Sequence, residues 1–412
     1  MSALSFTCFL TDFATLPDPR IARRRRYPLL EILFLCVSAS LSGYEEWQQV
    51  VDFGRAKLAW LRTYLPFAAG VPSHDTLNRV VGLLEPRAFE KCLIAWARRG
   101  VKLPAGAQVC LDGKRLCRSA TARQQQTPHA LGGASAVHLL HAWCDEVGLC
   151  LGQYQTPDKA NEITALPDLL ALLEVGGCLL TMDAIGCQKS VTQAIAAAGA
   201  DYLLALKGNQ AALQAAVQAA FAQASEAQAP EAQAPENQAA EAQAAHTHTG
   251  EKAAHGRRET RTCRVLPAAV LPAAVLPAAV LPAAVLPAAV RGPEWAGLCT
   301  VVEVVATRTV VATGVTTTET RLYVSSRQGS AADFQGYVRR HWGIENRLHW
   351  VLDVVFGEDR SRKRARNAAA NCAVVRKFAL NLLRARPENM SLNRKRNHCA
   401  LSDEYREKCL GF

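Results

Sequence analysis

Fourteen cysteines are present, yet the chain has no Cys-x-x-Cys pair and no cysteine–histidine cluster at zinc-finger spacing. Both absences argue against a structural zinc site. Residues 1–10 lack a basic stretch followed by a long apolar run, so no signal peptide is expected. The cysteines then read as reduced thiols of an intracellular protein, mostly in its core. No stretch qualifies as a membrane span. Residues 32–41 are apolar for only ten positions and follow Glu31, which suits a buried core helix. Residues 265–290 are uncharged, but a proline recurs at every fifth position from Pro267 to Pro287 and no regular helix can form. Their unit, Leu-Pro-Ala-Ala-Val repeated five times, is too short to be the packing unit of a solenoid. No heptad run marks a coiled coil.

What the chain does have is 412 residues, half of them apolar and a fifth charged, enough for two or three domains with a sizeable core. A net charge of +11 suggests a polyanionic partner. The charge is uneven. Residues 357–397 hold twelve lysines and arginines against three acids, and Arg20 with Arg23, Arg24, Arg25 and Arg26 forms a second basic cluster. Residues 157–205 carry six acids against two lysines. Basic flanks beside an acidic middle fit a polyanion held at its edges around a cationic centre, or simply solvated surface.

Periodicity separates the regions. Residues 27–100 are helical in pattern, with Ser73 a candidate N-cap for a helix running through Arg79 and Leu83. That helix reads as a candidate DNA-recognition helix or as plain structure. Strands are expected at 108–112, 137–143, 150–154, 178–183 and 202–206, and helices at 162–173 and 189–198. The result is a mixed α/β sheet with helical crossovers. Residues 211–249, rich in Ala, Gln and Glu, and 265–290 read as low-complexity excursions, extended or poorly ordered. Strand-like stretches at 257–265, 300–306 and 316–325 place a small β-rich insertion around them, and 333–355 turns helical again.

Three carboxylates stand out. Asp112 and Asp183 are expected at the carboxyl ends of strands, where open α/β sheets place ligands. They converge if those strands are neighbours; otherwise Asp112 is an Asp-Gly turn and Asp183 a loop or N-cap acid. At 100° per residue, Glu345 falls on the margin of an apolar stripe of Phe334, Tyr337, Leu348, Leu352 and Val355. A carboxylate aimed at a core is costly unless paired or metal-bound. His341 and His349, one turn to either side, offer a Glu–His pair as the simpler reading. If the three acids meet, an all-oxygen donor set favours Mg²⁺ or Mn²⁺, and two such ions suit phosphoryl transfer on nucleic acid.

The motifs come in a telling order: Asp18-Pro19-Arg20, Tyr27-Pro28-Leu29-Leu30-Glu31-Ile32-Leu33, Pro72-Ser73-His74-Asp75-Thr76, Leu111-Asp112-Gly113-Lys114 and Asn161-Glu162-Ile163-Thr164-Ala165. Then follow Asp183-Ala184-Ile185-Gly186-Cys187-Gln188-Lys189, Ala205-Leu206-Lys207-Gly208-Asn209-Gln210 and His341-Trp342-Gly343-Ile344-Glu345-Asn346. The series resembles bacterial insertion-sequence transposases of the DDE type, in the branch that includes the H-repeat-associated proteins. It covers nearly all of the chain outside the two low-complexity tracts.

That resemblance implies an RNase H-like α/β fold: a mixed sheet with flanking helices, a β-rich insertion subdomain and an N-terminal helical domain. The corresponding domains are residues 1–104 (helical, candidate DNA binding), 105–210 (first part of the core), 211–330 (insertion) and 331–412 (core completion and basic C-terminal helices). It implies Asp112, Asp183 and Glu345 as the catalytic triad holding two Mg²⁺ or Mn²⁺ ions. Double-stranded DNA is the expected partner, and related systems cleave as a synaptic homodimer. A bacterial cytoplasmic, nucleoid-associated location follows, without a membrane. Arg23, Arg24, Arg25, Arg26, Arg340, Arg362, Lys363, Arg364 and Arg366, with Lys207 and Asn209, are the expected DNA contacts. The broader superfamily often carries Tyr seven and Arg four residues before the glutamate and Lys seven after it. Here Val338, His341 and Leu352 occupy those places, with Tyr337 and Arg340 one residue off. The expected activity is metal-dependent cleavage at element ends followed by strand transfer. Alternatives are an inactive, transposase-derived DNA-binding protein and a nuclease that cuts without joining.

Overall fold

A computed structural model describes residues 6–120, 136–156, 162–227, 245–254, 256–272 and 295–411. Most of the Leu-Pro-Ala-Ala-Val tract, the Glu-Ala-Gln-Ala-Pro repeats and Asn161 lie outside the described residues. In chain order the helices α1 (Phe6–Ala14), α2 (Leu29–Leu41), α3 (Trp47–Ala56), α4 (Leu58–Leu61), α5 (His74–Leu83) and α6 (Pro86–Gly100) come first. Strands β1 (Gln108–Arg115), β2 (His138–Cys144) and β3 (Leu149–Gln155) follow, then α7 (Glu162–Leu172), β4 (Leu179–Met182), α8 (Lys189–Ala197), β5 (Asp201–Leu206) and α9 (Ala211–Ala227). After them come β6 (His246–Ala254), β7 (Arg257–Pro267), β8 (Thr300–Val310) and β9 (Thr316–Ser325). The chain closes with α10 (Ala331–His341), a π-helical turn (Ile344–His349), α11 (Trp350–Val354), α12 (Ala368–Ala385), α13 (Leu392–Leu401) and α14 (Asp403–Leu410). The architecture is mixed α/β. Among the described residues no helix is long and apolar enough to cross a membrane.

Two units divide the chain. The first comprises Met1–Pro104, Asp112–Glu174 and Gly343–Phe412, and the second Ala105–Leu111 and Val175–Trp342. The first is built around α12, whose residues from Ala368 to Leu383 are all buried. It packs against α2, α5 and α6. The expected core helix is there: Ile32, Leu33, Phe34 and Leu35 of α2 are almost wholly shielded from water. Ser73 caps α5 by accepting from Thr76 N, and Pro86 opens α6 at a position whose amide has no helical acceptor. Polar groups inside α12 are matched to the backbone around them. Asn381 both donates to Cys150 O and accepts from Cys150 N on β3, and Asn371 donates to Val81 O and Leu84 O beyond α5. In this unit β2 and β3 form an antiparallel hairpin, and the sheet order is β3-β2-β1.

In the second unit β1, β4 and β5 lie side by side and parallel, β9 joins β5 antiparallel, and β8, β7 and β6 continue the sheet as a meander. The β-rich stretch therefore extends the same sheet. Phe334 and Val338 of α10 pack on it against Leu179, Leu203, Val302 and Val304. That burial accounts for an apolar residue at 338, where the broader superfamily often has Tyr.

Four expectations need correction. Residues 211–227 form helix α9 instead of an extended excursion, because Ala, Gln and Glu are strong helix formers. Residues 246–254 form β6, concealed within a stretch of biased composition. Strand β1 runs on through Asp112 to Arg115, so Asp112 is within the strand. Finally, 344–349 is a π-turn, whose i→i+5 bonds advance each residue by less than 100°. The expected stripe holds for Phe334, Leu348 and Leu352, all buried, but Glu345 rotates off it and is exposed.

Eleven of the cysteines are buried, which places most of them in the core as expected. In the first unit Phe378 of α12 meets the rings of Phe9, Phe13 and Trp96 at centroid separations of 6.0, 4.8 and 4.7 Å. Phe378→Ala is expected to destabilise this unit by about 3–5 kcal/mol, read as a lower melting temperature of the intact chain by calorimetry.

Candidate active site

In the first unit, Asp112 sits on β1 with about a fifth of its side chain exposed. Its Oδ1 accepts from Gly113 N at 2.9 Å, and His349 Nδ1, from the end of the π-turn, stands 3.5 Å from Oδ2. The other nitrogen of that ring, Nε2, is 2.9 Å from Nδ1 of His141 on β2. Burial, with Lys114 and Lys377 nearby, pushes His349 down to about 3, and burial likewise holds His141 well below the ordinary histidine range. Both rings are then neutral, each with one N–H. The arrangement that serves every contact has His141 Nδ1–H donating to His349 and His349 Nδ1–H directed at Asp112. Asp112 thus has one oxygen turned by the backbone and the other by an imidazole, the kind of outer support that orients a ligating carboxylate.

Next to it, Gly113 is needed for space. A β-carbon there would stand 1.7 Å from Glu162 Oε1 and 2.6 Å from His138 Nε2, two groups 3.0 Å apart. Lys114, one residue further, is only 7% exposed. Its Nζ pairs with Asp353 and lies 3.6 Å from both Glu358 and Asp359. Burial opposes its charge, but Glu358, Asp353 and Asp359 together hold its pKa above the ordinary lysine value. Glu358 is itself buried, with no hydrogen bond to either oxygen, and Arg376 Nη1 at 3.7 Å. Burial would raise its pKa, yet Lys377, Arg376 and Lys114 outweigh that and lower it.

Glu345, also in the first unit, is exposed at the start of the π-turn and is not the core-directed acid that simple helical geometry suggests. Nor does it pair with the flanking histidines, since His349 is engaged with His141 and His341 with Thr181.

In the second unit, Asp183 follows the last residue of β4 and caps a short turn, Ala184–Gly186, through Oδ1 to Ile185 N at 3.0 Å. Asn209 binds the same loop by donating to Ala184 O at 2.7 Å, and Gln210 donates to Cys187 O. Strands β1 and β4 are neighbours, with Cys110 opposite Thr181. In the sequence Asp112 comes two residues after Cys110, and Asp183 two residues after Thr181. His341 bonds Thr181 Oγ1 at 2.8 Å. Arg340 donates to Gln108 Oε1, and Gln108 in turn donates to Tyr337 O. Among the described residues no three His, Cys, Asp or Glu side chains form a ready-made metal cluster.

The expected DNA contacts fall into two groups. Arg23, Arg24, Arg25, Arg26, Arg362, Arg366 and Lys207 are exposed. Lys363 is not: it is 7% exposed, bonded to Glu45 O and seated over the ring of Trp47. Asn209 and Arg340 spend their donors on the protein, and Arg364 donates to Arg118 O. Of the twelve basic residues in 357–397, Lys363, Arg376, Lys377, Lys395 and Arg396 are buried, so this run is partly a core feature.

His141, Glu162 and the partners of Lys114 were not singled out from the sequence. A lone histidine inside the apolar strand Leu139-Leu140-His141-Ala142-Trp143 was a usable signal. Two outcomes are expected. Glu358→Gln leaves Lys114, Arg376 and Lys377 without their shared counter-charge and costs about 3–5 kcal/mol, measured as a fall in melting temperature. Burial pushes His341 down to about 4, so between about pH 6.5 and 4 the unfolded chain binds a proton that the folded one does not. Stability therefore falls with acidification across that window, and His341→Gln shows a shallower decline of melting temperature with pH than the parent.

Comparison with known proteins adds to this geometry. The family model described as "Transposase DDE domain" matches residues 108–382, and "DDE_Tnp_1-associated" matches residues 10–97. "Putative transposase YncI" of Escherichia coli O157:H7 is 35% identical, aligned over 99% of this chain and 95% of that protein. "H repeat-associated putative transposase YhhI" of Escherichia coli (strain K12) is 32% identical over 96% of each chain. Among solved structures, a piggyBac transposase synaptic complex with hairpin DNA aligns with 99% of this chain and 78% of its own, at 7% identity and a TM-score of 0.40. The chain belongs to the DDE transposase family, in the branch that includes the H repeat-associated proteins.

Proposed function

We propose that the protein is an active DNA transposase that cleaves double-stranded DNA at the ends of its element and joins the freed 3′-hydroxyl to target DNA. Asp112, Asp183 and Glu345 are its catalytic carboxylates. The observation that carries this reading is the parallel pairing of β1 with β4 through Cys110 and Thr181, each followed two residues later in the sequence by one of the aspartates. Asp183 stands at the carboxyl end of a parallel strand, where α/β sheets assemble ligand sites, and Asp112 lies within β1, two residues past the stretch that pairs with β4.

The donor set fits hard divalent ions. All three side chains offer oxygen only, and the nearest nitrogen ligand, His349, directs one ring nitrogen to His141. Two Mg²⁺ or Mn²⁺ ions held by these residues would supply activation of the attacking oxygen and stabilisation of the leaving one. The chain's own contribution is orientation. Gly113 N and His349 hold the Asp112 carboxylate, Ile185 N holds Asp183, and Asn209 steadies the loop after Asp183. Glu345, exposed at the start of a π-turn, is the third carboxylate of this reading, at a backbone irregularity of a kind often found at functional positions. Exposed Arg23–Arg26, Lys207, Arg362 and Arg366 supply phosphate contacts whose strength falls with salt. Two copies acting together on paired ends is the assembly this reading entails.

The test is strand transfer on a duplex carrying the inverted repeats that flank the gene, with Mg²⁺ present. The parent chain gives cleaved ends and covalently joined target. Asp112→Asn lowers both by at least about 100-fold, as expected when a group acting at the reacting atoms is lost. Full activity in Asp112→Asn overturns the mechanism, and cleavage without joined product points to a nuclease instead.

A further inference from the structure

Within the first unit, a pocket of 490 Å³ opens between the segment before α2, the second half of α5 and the segment before α12. Arg24, Arg79 and Arg366 line it together with Asn78. Arg20 is there too, but its guanidinium is neutralised by two hydrogen bonds to Asp18, at 2.9 and 2.7 Å. Arg24, Arg79 and Arg366 are all exposed, and none has an ion-pair partner among the described residues. Three like charges around one concavity repel each other and focus a positive potential into it. Each guanidinium is a planar fork suited to the oxygens of a phosphate.

The pocket is also held in shape. Arg366 has φ of +50°, a left-handed conformation that a side-chain-bearing residue adopts only when its surroundings enforce it. Those surroundings are identifiable. A β-carbon on Gly82 would lie 2.6 Å from Ala365 O, so only glycine lets the segment before α12 lie this close to α5. Asn367 N then donates to Gly82 O, Asn367 Nδ2 to Leu84 O, and Asn371 Nδ2 to Val81 O. Asn78 accepts from Trp47 Nε1 through its oxygen, which leaves its NH₂ as the donor available on the pocket side. The fold thus keeps an arginine in an unfavourable backbone state beside two others of the same charge.

We propose that this pocket binds a phosphodiester of the DNA backbone, with Arg24, Arg79 and Arg366 as its ligands and Asn78 as a further donor. The inference rests on the transposase reading for the identity of the polyanion. A DNA strand is favoured over a small free anion because exposed basic residues continue on both chain segments beside the pocket, at Arg23 and Arg26 and at Arg362. A backbone follows such a line of charge; an isolated phosphate has no use for it.

The experiment measures binding of the full chain to a fluorescent duplex of about 30 base pairs in EDTA, over a series of salt concentrations. Arg79→Gln/Arg366→Gly is expected to weaken binding about tenfold at ~0.1 M salt and to reduce the slope of log K against log salt by about 1. Glycine accepts the left-handed conformation, so Arg366→Gly alone keeps or raises the melting temperature, which separates lost binding from lost folding. Unchanged affinity and slope in the double variant overturn the proposal. So does inorganic phosphate that binds the parent at micromolar levels and not the double variant, without displacing DNA, because the pocket would then serve a free anion. Because binding is read without metal, the two readings fail separately. A chain that binds through the pocket but never cleaves defeats only the catalytic reading, and a double variant that binds normally defeats only the pocket.

Discussion

A carboxylate with no hydrogen bond, sealed among cations, is the feature on which the first unit depends. Glu358 is flanked by Lys114 at 3.6 Å and Arg376 at 3.7 Å, while Arg376 and Arg396 converge on Glu45 at 3.1 and 2.6 Å. This chain of charges ties together the loop before α3, the end of β1, the segment after α11 and the helices α12 and α13. Such a lattice is poor as a source of net stability, because desolvating each ion offsets much of the attraction. Its strength lies in what it forbids: moving any one member strands another charge out of water. Segments distant in sequence are thereby fixed relative to each other, and β1 cannot shift its register without breaking the contacts of Lys114.

That constraint reaches Asp112 through two residues of backbone. Lys114 anchors one side of the strand, and Gly113 allows Glu162 and His138 to close over it. His349 arrives from the π-turn and is kept neutral by burial and by the same lysines that balance Glu358. A neutral imidazole matters here. As a cation it would form a tight ion pair with Asp112 and compete with any divalent ion for that carboxylate; uncharged, it orients the oxygen and leaves its negative charge available.

Local patterning made most of the fold legible. The short apolar runs in 108–112 and 202–206 and the Ser73 cap are short-range signals, and short-range physics decides them. What failed to show was decided at longer range. β6 hides at the end of an Ala/Gln/Glu tract because strand formation there comes from pairing with β7 along its whole length, not from its own composition. Glu345 was placed with a 100° helical wheel that a π-turn breaks. The basic run at 357–397 read as outward-facing charge, for a polyanion or simply for water, since nothing local reveals that Glu45, more than three hundred residues earlier, draws Arg376 and Arg396 inward. The aspartates were visible as motifs, but that β1 pairs in parallel with β4, and in which register, is a property of the sheet alone.

The fate of the basic residues carries a more general argument about reading charge as function. Net charge is one number, yet it divides into cations balanced inside the protein and cations left facing water. Lys363, Arg376, Lys377 and Arg396 are enclosed by backbone oxygens, carboxylates and aromatic faces, and contribute little to the outside potential. Arg23, Arg24, Arg26, Arg79, Lys207, Arg362 and Arg366 are exposed, and cations of this second kind are the ones that can release counterions from a polyanion. Affinity for DNA should therefore track the exposed subset, which lies partly on α5 and not wholly in the C-terminal run where the charge density is highest. Arg79, the one arginine of α5 and without an ion-pair partner among the described residues, outranks the guanidiniums of the C-terminal run that are already engaged inside the protein.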